Sequence, residues 1–166
     1  MSVIATLGLG ANLDDPAAQV NAAIAELDRL PGTRLVARSS LVASSPVGYV
    51  DQPDFINAVA QVETALAPRA LLNALLELEQ RHGRVRSFHN APRTLDLDLL
   101  LYGDARFHED GLTLPHPRMT ERAFVLLPLL EIAPHIVIPG LGRAADYLAA
   151  CSSQRVQPLI PAAVNA

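Results

Sequence analysis

Hydrophobic and polar positions set out the elements from the first residues onward. Val3 to Gly10 reads as a strand. Gly8-Leu9-Gly10-Ala11-Asn12 departs from a G-x-G-x-x-G loop, since Leu13 holds the place of the third glycine. It reads as a tight strand-to-helix turn rather than a phosphate loop. Asn12, Asp14 and Pro16 signal a helix start, and Val20, Ile24 and Leu27 give a helical stripe from about Pro16 to Leu30. Pro31-Gly32 ends it. Arg34 to Ala43 reads as a second strand and Phe55 to Thr64 as a third, separated by the Ser/Pro/Gly-rich loop from Ser44 to Pro53. Pro68 opens a second helix with Leu71, Leu75 and Leu78 on one face and Gly83 at its end. Arg84 to Pro92 is a polar, basic loop. Thr94 to Tyr102 is a fourth strand, and a short hairpin is expected between Asp104 and Leu114. Thr120 is expected to cap a last helix that bends at Pro128. The segment after Pro139 is weakly patterned.

The order β-α-β-β-α-β is that of a split βαβ unit. It predicts an α+β, ferredoxin-like domain with an antiparallel or mixed sheet, helices packed on it, and an additional helix and hairpin. The 166 residues suit one domain, 1–166, with no role assigned to 140–166.

Composition narrows the chemistry. The formal net charge is -4, which gives no general attraction to nucleic acid or an anionic membrane. No apolar run reaches the ~18 residues that span a bilayer. With a single cysteine, Cys151, and no basic, apolar leader, the expected setting is the cytoplasm. All 13 basic residues are Arg. Without Lys there is no P-loop lysine and no Schiff-base or pyridoxal-phosphate chemistry.

The fourth strand carries the sharpest chemical signal. Alternation puts Leu95, Leu97, Leu99 and Leu101 on one face and Thr94, Asp96 and Asp98 on the other. Two carboxylates about 7 Å apart on an apolar strand need a cation or a proton. Magnesium suits them, because it takes one or two carboxylates and completes its shell with water and phosphate. The same pair also suits an exposed edge strand with two solvated acids. Arg81, His82, Arg84, Arg86, His89 and Arg93 lie close by with no acid among them, a charge distribution that suits a polyphosphate. A solvated basic loop is the bland reading of that stretch. His116 sits between Pro115 and Pro117 on a stiff segment. Phe55 and Asn57 share a strand face, an aromatic surface beside an amide, which suits a flat heteroaromatic ring.

The motifs Asp51-Gln52-Pro53-Asp54-Phe55-Ile56-Asn57-Ala58, Gly83-Arg84-Val85-Arg86, Ala91-Pro92-Arg93-Thr94-Leu95-Asp96-Leu97-Asp98-Leu99-Leu100 and Pro115-His116-Pro117-Arg118-Met119 resemble, in order, those of the 6-hydroxymethyl-7,8-dihydropterin pyrophosphokinases. The resemblance runs over roughly residues 1–140. It implies a usually monomeric, ferredoxin-like enzyme of folate synthesis. Such an enzyme uses ATP and two magnesium ions to place a diphosphate on the pterin's hydroxymethyl group, releasing AMP. By the same resemblance Asp96 and Asp98 hold both ions, and Arg84 and Arg93 are catalytic and phosphate-binding. Glu79, Arg86, Leu99, Thr113, His116 and Arg122 contact the nucleotide. Phe55 and Phe124 sandwich the pterin, whose edge meets Asn57, Asp96 and backbone groups of Ser44 and Val47. Asn90 stands where the family often has Trp, Leu76 where some relatives have Gln, and Gly111 where some have Arg. The rival readings are another magnesium-dependent nucleotidyl- or phosphotransferase, and a non-catalytic ferredoxin-like ligand-binding module.

Overall fold

The computed structural model describes residues 2–45, 52–83 and 94–159. The elements follow as β1 (Val3–Ala11), α1 (Pro16–Leu27), β2 (Thr33–Arg38), β3 (Val42–Ser44), β4 (Phe55–Thr64), α2 (Pro68–Arg81), β5 (Asp96–Tyr102), β6 (Phe107–Glu109), β7 (Leu112–Leu114), α3 (Ala123–Ile132), β8 (Val137–Ile138), β9 (Gly142–Arg143) and β10 (Val156–Pro158). The main sheet runs β10-β3-β4-β1-β5, with β2 also paired to β4, and its pairings are antiparallel. The β-α-β-β-α-β core is therefore present, its second strand divided in two.

Two serines account for that division. Arg34 to Ala43 does not run as one strand. Ser39 accepts the amide of Val59 on its hydroxyl and donates its own amide to the carbonyl of Val59. The Ser40 amide and hydroxyl both donate to Glu131 of α3. Side-chain groups thus satisfy backbone that a continuous ladder would otherwise pair. β2 then follows the Ala60–Thr64 half of β4, and β3 follows the Phe55–Asn57 half.

The two faces of the sheet are covered differently. α1 and α2 lie on one face, where Val20, Ile24, Leu27, Leu71, Leu75 and Leu78 meet Ala5, Leu7, Leu9, Val62, Leu95, Leu97 and Leu99. α3 packs on the opposite face, where Leu126 and Leu129 meet Val59, Leu100 and Leu101. Leu101 was expected beside Leu95, Leu97 and Leu99. A register shift opposite Thr6 and Leu7 reverses the alternation, so Leu101 joins the α3 side and Tyr102 packs against the α1–α2 core. A bulge of this kind moves every later side chain to the other face.

Two further expectations change. Thr120 lies in a 3-10 turn, Met119–Glu121, rather than at a helix cap; α3 begins at Ala123 and continues through Pro128. The weakly patterned segment after Pro139 is folded over its described residues, 140–159. It supplies the strands β9 and β10 and two 3-10 turns, and β10 extends the main sheet beyond β3. No helix among the described residues is long and apolar enough to cross a membrane.

Candidate active site

The open part of the α3-side face is built from alternate residues of three strands. Gly8 pairs with Asp98 on one side and Val59 on the other; Gly10 pairs with Asp96 and Asn57. Cross-strand neighbours on one face lie about 5 Å apart at Cβ. The row across the sheet is thus carboxylate, glycine, amide. β1 is continuous from Val3 to Ala11, so Gly8 and Gly10 are strand residues and not a turn. Both face a cavity of about 390 Å³. A Cβ on Gly10 would lie 2.8 Å from Nδ2 of Asn57, so a bare backbone is what lets the amide sit there. At Gly8 a Cβ would meet only the Leu100 side chain, at 3.5 Å.

The walls of this cavity include Ser44, Phe55, Asn57, Asp96, Asp98, Arg122 and Phe124. The Ser44 hydroxyl donates to Oδ1 of Asn57 at 2.6 Å, and both residues are buried. That bond fixes the amide so that its nitrogen side lies over Gly10. Asn12, expected at a helix start, is buried instead. Its Nδ2 donates to Oε1 of Gln52 at 2.8 Å and to the carbonyl of Pro53 at 3.0 Å, tying the end of β1 to the segment that leads into Phe55.

A second cavity, of about 300 Å³, lies between β5 and the β6–β7 hairpin. Its lining includes Leu99, Thr113 and His116. Asp98 lines both cavities. The sequence-predicted residues thus fall into two groups: Ser44, Phe55, Asn57, Asp96 and Phe124 in the first cavity, and Leu99, Thr113 and His116 in the second. Arg122 lines the first. Its Nη1 is 3.7 Å from Oδ2 of Asp98, and its guanidinium carbon stands 5.5 Å from the centre of the Phe124 ring.

The form of His116 follows from its contacts. Nδ1 accepts the amide of Arg118 at 3.1 Å, which leaves the proton on Nε2, 3.9 Å from Oδ1 of Asp98. Burial holds its pKa down to about 4, and the positive charges of Arg122 and Arg118 push the same way; Asp96 opposes them. The ring is therefore neutral near pH 7 and serves as an N–H donor. Its backbone is fixed as well, since the His116 amide donates to the carbonyl of Leu100 at 2.9 Å.

Glu79 takes a different place from the one expected of a nucleotide contact. It is buried on α2, is not among the residues lining these two cavities, and its Oε2 accepts the Leu97 amide at 2.6 Å. That amide lies between the two aspartates, so Glu79 secures the backbone that presents them. His82 is held against α1: Nε2 lies 2.9 Å from Oε2 of Glu26, and Nδ1 meets Gln19. Val47, Arg84, Arg86, His89, Asn90 and Arg93 lie outside the described residues. Gly8 and Gly10, read from the sequence as part of a turn, and Glu121 and Gln154, given no role there, all line the first cavity. Glycines two apart in a strand pattern were the available signal for the first two; nothing local marked Gln154.

Among the described residues no three His, Cys, Asp or Glu side chains gather into a metal centre. Asp96 and Asp98 share one strand face with glycines opposite, a sparse carboxylate set whose chemistry fits magnesium, which takes one or two carboxylates and completes its shell with water and phosphate.

A ferredoxin-like sheet presents a carboxylate pair of which Asp96 borders the first cavity and Asp98 both, an arrangement that suits an enzyme acting on two small substrates. Over residues 6–134 the chain matches the family described as 7,8-dihydro-6-hydroxymethylpterin-pyrophosphokinase (HPPK), and it belongs to that family. It is thus a pyrophosphokinase, with ATP as co-substrate. It is 46% identical over 153 residues to the 2-amino-4-hydroxy-6-hydroxymethyldihydropteridine pyrophosphokinase of Pseudomonas aeruginosa, covering 92% of this chain and 94% of that one. It is 46% identical over 138 residues to the protein of the same name from Haemophilus influenzae, 83% of this chain and 86% of that one. Among solved structures it resembles Plasmodium falciparum HPPK-DHPS, wild type with pteroate, at TM-score 0.73 and 16% identity, over 92% of this chain and 43% of that one. The chain spans less than half of that longer protein, and the likeness shows a shared fold.

Proposed function

We propose that this chain transfers the β,γ-diphosphate of ATP to the hydroxymethyl group of 6-hydroxymethyl-7,8-dihydropterin in folate synthesis, releasing AMP. The observation that carries the reading is that Asp98 lines two cavities of different character. One has aromatic and amide walls and suits a flat heterocycle. The other, bordered by Leu99, Thr113 and His116, suits a nucleotide. A transfer between two substrates needs their reacting atoms to meet at one point, and orientation at that point supplies much of the rate.

In the reaction the pterin oxygen forms a bond to the β-phosphorus. The bond from that phosphorus to the α,β-bridging oxygen breaks, AMP keeps the electron pair, and the hydroxyl proton is released. Phe55 and Phe124 hold the ring, and Asn57, fixed by Ser44, reads its edge. The Nε2–H of His116 and the guanidinium of Arg122 offer donors to phosphate oxygens beside Asp98. Arg84 and Arg93 have the same task by their place in the family motif, with Arg86 as a further phosphate contact and the backbone of Val47 as a pterin contact. Asp96 and Asp98 would hold two magnesium ions, which supply Lewis-acid neutralisation of the phosphates and a lower pKa at the attacking hydroxyl.

Product analysis tests this. After mixing with ATP, magnesium and the pterin, AMP should appear one-for-one with a pterin diphosphate. Release of inorganic pyrophosphate would instead mean nucleotidyl transfer. The reading also takes the chain as one domain acting as a cytoplasmic monomer, which sedimentation of the purified protein checks for oligomeric state.

A further inference from the structure

The family match ends at residue 134, yet the first cavity is completed by a residue twenty positions further on. Oε1 of Gln154 accepts the amide of Ala123 at 2.8 Å, and Nε2 donates to the carbonyl of Glu121 at 2.6 Å. Only this amide orientation satisfies both groups, since an N–H needs an acceptor and a carbonyl a donor. The two bonds bracket Arg122. They fix the backbone on either side of the residue whose guanidinium stands over Phe124 and beside Asp98. They also satisfy the first amide of α3, whose start has no capping side chain of its own.

Gln154 is itself held from both sides. Its amide donates to the carbonyl of Cys151, which is buried among the α3-side core residues. Beyond it, the Arg155 carbonyl accepts the amide of Ser45, and β10 pairs with β3 so that Val156 faces Ser44. One short segment therefore touches both walls of the cavity, the one carrying Ser44 and the one carrying Phe124. It also borders a further recess of about 310 Å³ with Ser44, Ser45 and Phe124.

We propose that Gln154 is a positioning residue for the heteroaromatic subsite: its side-chain amide clamps Glu121 to Ala123 and so sets Phe124 against the bound ring. This rests on the pterin assignment of that cavity given above. The segment after residue 134 is thereby part of substrate recognition.

The test uses the full chain and two variants. Gln154→Met keeps the length and loses both bonds; Gln154→Glu keeps the acceptor and loses the donor. Loss of the clamp should weaken pterin binding, read by equilibrium titration, by about tenfold in Gln154→Met, with Gln154→Glu between it and wild type. The Ala123 amide should exchange faster in Gln154→Met than in wild type. Combined with Phe124→Ala, Gln154→Met should add no further loss, because it acts through that ring. Unchanged pterin affinity in folded Gln154→Met, or a fully additive double variant, would overturn the proposal. Should Gln154→Met not fold, the Gln154→Glu variant with Phe124→Ala decides by the same additivity. If the wild-type chain binds no pterin, the functional reading fails instead; unchanged Ala123 exchange in Gln154→Met would still refute the clamp.

Discussion

The two faces of one sheet follow opposite rules. Along β1, Ala5, Leu7, Leu9 and Ala11 face α1 and α2 and are almost wholly buried. The residues between them on the other side include Gly8 and Gly10, which face a cavity bordered by Asp96, Asp98 and Asn57. On the helix side, side-chain volume stabilises. On the site side, missing volume is what permits binding. The contrast teaches that alternate residues of one strand can carry stability and chemistry separately, and substitutions on the two faces should fail in different assays.

The largest separation is expected at Asp98. Asp98→Ala should lower AMP release by about 10³-fold or more, the scale of a lost electrostatic anchor, while the thermal midpoint stays close to wild type. A variant that keeps wild-type turnover would remove the carboxylate pair from the chemistry. Leu78 lies on the helix side with no exposure. Leu78→Ala should cost about 2–5 kcal/mol of stability through lost burial and a cavity, read from the denaturant midpoint. At permissive temperature its pterin affinity should be unchanged.

His116 sharpens the comparison by pH. Its pKa is lowered from 6.5 to about 4, by burial first and then by Arg122, with Asp96 opposing and Arg118 adding to the drop. Between those values the unfolded chain binds more protons than the native one. The contribution of the neutral ring is therefore full above pH 6.5 and is lost as pH falls toward 4, by about 1–3 kcal/mol. In the metal-free protein, His116→Asn should flatten this part of the pH–stability curve. A slope identical to wild type would show that other groups carry it.

The two glycines give the finest contrast. Gly10→Ala drives a methyl to 2.8 Å from Nδ2 of Asn57, so the amide must move, and pterin affinity should fall by roughly tenfold. Gly8→Ala meets Leu100 at an ordinary 3.5 Å. Its stability change should stay within about 0.5 kcal/mol, with a smaller loss of affinity than Gly10→Ala. Equal losses from the two substitutions would mean that Asn57 does not read the ligand.

Much of this molecule is legible in its sequence because the deciding interactions are local or periodic. The leucine stripes of α1 and α2 and the alternation of Leu95 to Asp98 fix which side of each element is apolar. The same alternation puts Asp96 and Asp98 on one face, and the ordered motifs give the family. What the sequence left open depended on distant partners. Ser39 and Ser40 divide a strand only because Val59 and Glu131 are there to meet them. Leu101 changes face because of a register shift against β1. Glu79 serves the backbone between the aspartates because α2 lies behind β5. Gln154 reaches the cavity because β10 pairs with β3. By itself the sequence determined the β-α-β-β-α-β order of the core, the apolar faces of its two helices and the residue types of the chemistry, since these follow from spacing along the chain. Only the tertiary structure decided which cavity each residue lines and what holds it there, since pairing register and side-chain partners come from residues far apart in sequence.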